Sequence, residues 1–270
     1  MSAPAKTRTI AKEVVIAAPH ELVWEALTTS EGLKRWFPLE AQLEARVGAP
    51  IFLSWGPNCE GTGRVDAVEP LRKFRWLEHS LPAPGATPDP NAMGVAIEWT
   101  LEARGGKTLL RMVQSGIAAA DWAEEYHDSL DYGWGFMLTN LRVYLELHHG
   151  EPRRVAWPRK NVAMTREAAW ERLLNRLDGM RAIASLKGGE SFSVKVGVPE
   201  KLEGVVEFML PPRGFCLRLA NWKNALLWLS LEGGTEKTEV GFWLSAYGIA
   251  ENDVKAFEQR WQAALEKAFA

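Results

Sequence analysis

The sequence contains few of the residues on which several classes of protein depend. It has two cysteines, five histidines and a formal net charge of −2 over 270 residues. Cys59 and Cys216 are far apart and belong to no CxxC pair, so we expect reduced thiols and a cytoplasmic protein. The small net charge argues against a nucleic-acid partner, because such binding needs concentrated Lys and Arg.

Long apolar runs and catalytic motifs are also missing. No segment reaches the roughly 18 apolar residues of a membrane span, and the N-terminal MSAPAKTRTIAKEVV lacks the apolar stretch of a signal peptide. There is no HExxH or GxSxG motif. Gly105-Gly106 and Gly233-Gly234 connect strand to strand, unlike phosphate-binding loops, which precede a helix. The sequence therefore predicts no cofactor and no metal, and it leaves catalysis open.

Tryptophan, by contrast, is abundant: the chain has 13 Trp and only four Tyr. The large aromatic side chains therefore mainly supply apolar bulk. Hydrophobic residues make up 47% of the chain and charged residues 24%, which is typical of a globular protein.

The order of predicted elements is that of an α+β protein. Alternating apolar residues predict a strand over 8–17, and Pro19 opens a helix over PHELVWEALT. A short helix, SEGLKRWF, follows with Ser30 as its N-cap. A Pro-rich loop covers 80–91, and a long amphipathic helix is predicted over about 129–149. Six strand-like segments lie between the short and the long helix: 39–45, 50–56, 62–69, 72–78, 93–103 and 107–115.

The second half of the chain repeats this pattern. Segment 61–76 aligns with 202–217, so that Gly63 matches Gly204 and Pro70 matches Pro211. LEARGGKT aligns with LEGGTEKT, and HELVWEAL resembles REAAWERL. Landmarks of three kinds in one order indicate duplication. We therefore predict two domains, residues 1–150 and 151–270.

Five sequence blocks in the first half form a recognisable series: IAAPHELVWEAL (16–27), EARVGAPIF (44–52), GRVDAVEPLRKFRW (63–76), WTLEARGGKTLLRMVQSG (99–116) and GWGFMLTNLRVYLE (133–146). They resemble the START-like helix-grip (SRPBCC, Bet v1-like) superfamily. Within it, they are most similar to the branch named after the C-terminal domain of the activator of Hsp90 ATPase. The second half matches more weakly: it keeps LKGGESF (186–192) but shows no clear second short helix, so we expect a degenerate copy.

The resemblance implies two tandem helix-grip domains, each a bent antiparallel sheet wrapped around a long C-terminal helix. It also implies a cavity between sheet and helix, and aromatic residues on the elements that wall it. Strand alternation adds Glu78 and Gln114 as inward polar groups. The predicted ligand-binding residues are Trp36, Phe52, Trp55, Phe74, Trp76, Glu78, Trp99, Met112, Gln114, Trp134, Met137 and Leu138.

Several of these aromatic rings must instead be ordinary core, and Glu78 could be simply exposed. Trp134, set between Gly133 and Gly135, and Trp36 are the best candidates for lining. Replacing either with alanine should then weaken ligand binding and leave the fold intact.

Three functions are compatible with this fold, and in a further possibility the first domain binds while the second packs against it and forms a protein–protein or intramolecular interface. The first is a noncatalytic carrier or sensor of a hydrophobic aromatic or acyl molecule, which needs only the cavity. The second is an enzyme of the cyclase, aromatase or hydrolase type, which needs at least two titratable groups converging in the cavity. The third is an Hsp90 partner; the short segment before the first predicted strand disfavours it, because the Hsp90 activator carries a separate N-terminal domain.

Overall fold

The structure is a computed structural model that describes residues 6–57, 59–79, 93–198 and 200–270. The predicted Pro-rich loop over 80–91 lies outside these residues. The chain divides into two compact units with the boundary between His149 and Gly150. Each unit is described by itself.

The first unit is a seven-stranded antiparallel sheet with three helices. The strand order is β1-β7-β6-β5-β4-β3-β2, so the first and last strands of the meander pair with each other. The elements are β1 (Thr7–Ile16), α1 (His20–Thr28), α2 (Ser30–Lys34), β2 (Glu40–Leu43), β3 (Pro50–Ser54), β4 (Glu60–Glu69), β5 (Lys73–His79), β6 (Met93–Arg104), β7 (Lys107–Ala118) and α3 (Glu124–Leu147).

Strand alternation places the inward side chains as the sequence predicts. Val95, Ile97 and Trp99 of β6 are buried, and Ile97 pairs directly with Gln114 of β7. Gly105 and Gly106 both have positive φ, 56° and 81°, as the tight turn between β6 and β7 requires. The inward face of β6 and β7 therefore belongs to one apolar wall.

Two helix boundaries differ from the prediction. The N-cap of α2 is Thr29, whose hydroxyl accepts from Gly32 N at 2.9 Å. Ser30 instead exchanges hydrogen bonds with the backbone of Leu43, because it is the first residue inside the helix. Helix α3 begins at Glu124, five residues before the predicted start, and its first turn carries Glu124 and Glu125, which suit the positive end of the helix dipole.

The second unit has the same plan with one strand fewer in the meander. Its strand order is β10-β11-β12-β13-β14-β8, and β9 also pairs with β14. Strands β8 and β9 lie on either side of Trp157-Pro158, so together they take the place that β1 has in the first unit. The elements are β8 (Arg153–Ala156), β9 (Arg159–Val162), α4 (Arg166–Arg176), α5 (Met180–Ala184), β10 (Ser191–Val196), β11 (Glu200–Leu210), β12 (Gly214–Leu219), β13 (Ala225–Gly233), β14 (Thr238–Tyr247) and α6 (Glu251–Ala268).

The irregularities of the two sheets coincide. A bulge in β4 between Val65 and Ala67 recurs in β11 between Val206 and Phe208. A Cβ on Gly63 would lie 2.0 Å from the carbonyl oxygen of Leu77, and one on Gly204 would lie 1.9 Å from that of Arg218. Glycine is required at both sites. Residues that align in the sequence at a spacing of 141 therefore occupy equivalent positions in the two sheets.

The junction between strand and helix is also repeated. Thr108 Oγ1 donates to the carbonyl oxygen of Ala18 at 2.9 Å, just before α1. Thr238 Oγ1 donates to that of Met164 at 2.8 Å, just before α4. The predicted fold class is confirmed: the chain consists of two tandem α+β helix-grip domains.

The second domain departs from the prediction in one respect. It does have a second short helix, α5, which follows Gly179 in a left-handed conformation at φ 81°. Its interior holds a tight group of rings: Trp261 of α6 lies 4.5 Å from Phe242 and 5.2 Å from Phe257 between ring centroids, and all three are fully buried. A pocket of about 230 Å³ lies beside the start of α6.

None of the described helices is both long enough and apolar enough to cross a membrane.

Candidate functional site

The first domain contains a cavity of about 400 Å³ between its sheet and the first half of α3. A volume of this size accommodates a small organic molecule. The lining residues are Phe37, Trp55, Cys59, Glu60, Gly61, Glu78, Ile97, Gln114, Tyr126, Ser129, Leu130, Gly133, Trp134 and Met137.

Aromatic rings form much of the wall. Phe37 stacks on Trp134 with centroids 5.0 Å apart and an interplanar angle of 22°. Trp55 meets the edge of Phe37 at the same separation, and Trp99 packs edge-on against Trp134 from the core side. Each of these rings therefore packs against at least one other ring of the wall.

Gly133 leaves room inside α3. It lines the cavity, and a Cβ added there would meet no atom within 4 Å. Gly135 also has open space at its Cβ position, but it does not line the cavity. Glycine inside a helix costs about 1 kcal/mol relative to alanine. At Gly133 the missing side chain leaves this part of the cavity open beside Trp134.

Gln114 is the most deeply buried polar group of the site, with 2% of its surface exposed. The indole Nε1 of Trp134 donates a hydrogen bond to Gln114 Oε1 at 2.6 Å. This bond joins β7 to α3 across the cavity wall and fixes the position of both side chains.

A second polar group lies on β5. Trp76 Nε1 donates to Glu78 Oε1 at 2.8 Å, and burial raises the pKa of Glu78 above its usual range, although this hydrogen bond opposes the shift. Burial and the charges of Glu78 and Cys59 raise the pKa of Tyr126. Three titratable groups therefore lie near one another on one side of the cavity, and burial shifts the pKa of the carboxyl group among them upward.

Residues 17–146 match the family described as Activator of Hsp90 ATPase homolog 1-like protein. The match spans nearly all of the first domain, including every element that walls the cavity. The first domain is an AHSA1-like helix-grip domain. We refer to it below as the AHSA1-like domain.

Solved structures similar to the chain include both one-domain and full-length matches. Bacillus halodurans protein BH1534 is 30% identical; the match covers 52% of this chain and 97% of that chain, with a TM-score of 0.42. The Aha1 dimer from Colwellia psychrerythraea is 23% identical, with coverages of 53% and 99% and a TM-score of 0.45. DynU16, described as a protein in the dynemicin biosynthetic locus, is 20% identical over 97% of both chains, with a TM-score of 0.42. Among curated proteins there is no match.

Five of the twelve predicted site residues line the cavity of the AHSA1-like domain: Trp55, Glu78, Gln114, Trp134 and Met137. Six others belong instead to the packed core around it: Trp36, Phe74, Trp76, Trp99, Met112 and Leu138. The core rings contact one another, with Trp99 at 5.9 Å from Trp36 and 6.0 Å from Trp76 between centroids. Alternation predicts which face a side chain is on, but it does not show whether the space above that face is already filled.

Phe52 is the twelfth predicted residue, and it points away from the cavity. Its neighbours Ile51 and Leu53 are buried, so Phe52 lies on the opposite face of β3. There it borders a surface groove with Gln42 and Thr62. The aromatic residue was assigned to the wrong face because the strand is short and its register could not be read from the sequence.

Nine lining residues were not predicted. The predicted helix over about 129–149 leaves Tyr126 out, whereas Tyr126 lies in the first turn of α3. Ile97 could have been found, since it shares a face with Trp99. The full set is Phe37, Cys59, Glu60, Gly61, Ile97, Tyr126, Ser129, Leu130 and Gly133.

The two cysteines form no disulfide: Cys59 is exposed at the cavity and Cys216 is buried. Within the described parts of the chain, no group of three or more His, Cys, Asp or Glu side chains is placed to hold a metal ion. The described lining residues offer apolar contact, hydrogen bonding and titratable groups on Cys59, Glu78 and Tyr126.

The raised pKa of Glu78 predicts a specific dependence of stability on pH. As pH rises above the ordinary carboxyl pKa, the unfolded chain loses the Glu78 proton while the folded chain keeps it, so the free energy of unfolding falls until pH passes the raised pKa. We expect Glu78→Gln to remove this fall. Urea unfolding of both proteins from about pH 4 to about pH 8 measures the difference, and parallel profiles would contradict the prediction.

Proposed function

We propose that the AHSA1-like domain binds an uncharged aromatic or acyl molecule in its cavity and acts as a carrier or sensor. The cavity itself carries the proposal: about 400 Å³ of space is bounded mainly by Phe37, Trp55, Trp134 and Met137, with few polar groups. Ligand sites have this composition, in which apolar area supplies affinity and a few polar groups set orientation. A cytoplasmic location stays a prediction.

Titration with N-phenyl-1-naphthylamine, an uncharged fluorescent probe, tests the proposal. We expect saturable binding to one site per chain. Met137→Ala should weaken it about fivefold, because a side chain that touches the probe loses roughly 1 kcal/mol of apolar contact. Leu138→Ala is the matched control: Leu138 is equally buried on α3 but does not line the cavity, so the folded variant should keep the wild-type affinity.

Unsaturable binding, or equal losses in both variants, would contradict a ligand in this cavity. Extraction of the purified protein with organic solvent, followed by mass spectrometry, would identify a ligand that is retained through purification.

One observation favours a second function, that of a hydrolase or cyclase. Glu78, Tyr126 and Cys59 are titratable and line the same cavity, which is what acid–base catalysis needs. Turnover of activated esters or aromatic polyketide-like substrates that disappears in Glu78→Gln would support it. An interaction with Hsp90 is supported only by the name of the family. A pull-down that recovers no Hsp90 would contradict that hypothesis.

A further inference from the structure

The side-chain amide of Gln114 has one orientation. An indole N–H can donate a hydrogen bond but cannot accept one, so the Gln114 atom that lies 2.6 Å from Trp134 Nε1 must be the oxygen. Trp134 is itself held by Phe37 on one side and Trp99 on the other. The amide nitrogen, with its two N–H groups, is therefore directed away from Trp134.

Gln114 itself lines the cavity. Within the part of the chain that the structure describes, the bond from Trp134 is the one side-chain hydrogen bond of Gln114. Its amide nitrogen therefore has no acceptor among the described residues, and a ligand in the cavity could supply one. A buried amide that is left without an acceptor destabilises a dry complex.

The charge of the cavity restricts which acceptor can fill this place. The described lining residues include Glu60 and Glu78 but no Lys, Arg or His. A carboxylate or phosphate ligand would be desolvated here with no cation among the described lining residues to pair with. A neutral carbonyl oxygen avoids this cost and can still accept from Gln114.

We propose that the ligand is a neutral, ring-containing ketone or quinone whose oxygen accepts a hydrogen bond from Gln114 Nε2. This inference rests on the proposed function and narrows its ligand class. The aromatic walls Phe37, Trp55 and Trp134 accommodate the rings, and Gln114 sets the direction of the carbonyl group.

A matched pair of probes tests the hydrogen bond: 9-fluorenone and fluorene share one ring frame and differ by the ketone oxygen. We expect the wild-type chain to bind fluorenone about tenfold more tightly than fluorene, as one buried hydrogen bond allows. Gln114→Met, of similar shape but without the amide, should lose this preference and bind the two probes within about twofold of each other. The carbonyl stretching frequency of bound fluorenone should fall in the wild type and not in Gln114→Met.

The outcomes separate the two proposals. Failure of the wild type to bind either probe would overturn the proposed function and this inference with it. Equal binding of both probes, or a fluorenone preference that survives in Gln114→Met, would overturn the inference alone. Tighter binding of dodecanoate than of fluorenone at neutral pH would overturn the choice of a neutral ligand. If Gln114→Met does not fold, the infrared shift of fluorenone in the wild type still decides the matter.

Discussion

Gly133→Leu is expected to reduce probe binding at least tenfold while slightly stabilising the fold. The new side chain would meet no protein atom at its Cβ and would extend into the cavity. Four carbon atoms, each needing roughly the 30 Å³ of a water molecule, occupy on the order of 100 Å³ of it. Leucine also favours the helix over glycine by up to about 1 kcal/mol. Probe titration and thermal unfolding measure the two effects.

Gly135→Leu is the matched control for this variant. Gly135 lies two residues along the same helix and also has open space at its Cβ, but it is not part of the cavity wall. It should therefore gain similar helix stability and leave probe affinity unchanged. If both variants lose binding, the loss comes from the helix and not from filled space, and the assignment of the cavity fails.

Trp36→Ala is expected to destabilise the AHSA1-like domain by about 3–5 kcal/mol. Trp36 is 0% exposed, and its indole Nε1 donates to the carbonyl oxygen of Ala26 at 2.9 Å. Asn140 Nδ2 donates to the Trp36 carbonyl oxygen, which ties this residue to α3. Since whole domains are stable by only about 5–15 kcal/mol, the loss is a large fraction of the total. This replaces the expectation from the sequence that the fold would be unaffected.

Trp36→Phe provides the comparison, because a phenyl ring keeps most of the contact with Phe37 and Trp99. We expect it to lose clearly less stability than Trp36→Ala in urea unfolding. Wild-type stability of Trp36→Ala would show that Trp36 is not part of the core.

Much of the frame could be predicted from the sequence because its signals are local. Alternation along β6 and β7, the paired glycines of their turn and the duplicated Gly63 and Gly204 each record a backbone requirement at one position. The start of α3 could not be placed in the same way. Its N-cap, Ala123, makes no side-chain hydrogen bond, so no capping residue marks where the helix begins.

The cavity was harder to predict because empty space is a property of many distant residues together. Trp76 and Glu78 lie two residues apart on one face of β5, yet the first is core and the second lines the cavity. Trp76 packs against Phe74 and Trp99, whereas Glu78 lies next to the end of the strand. Gly133 was the most informative local signal, since a helix interior seldom gains from glycine unless space is needed there.

The two domains share a bulge and a hydrogen bond from a threonine hydroxyl to a backbone carbonyl, although the side chains in their interiors differ. Both domains keep these bulges and hydrogen bonds. The first domain nevertheless has a cavity beside its long helix, whereas the second has three packed aromatic rings there. A few interior side chains therefore determine whether a domain with this backbone contains a cavity. Replacing those side chains could open or fill a cavity in either domain without changing its strands.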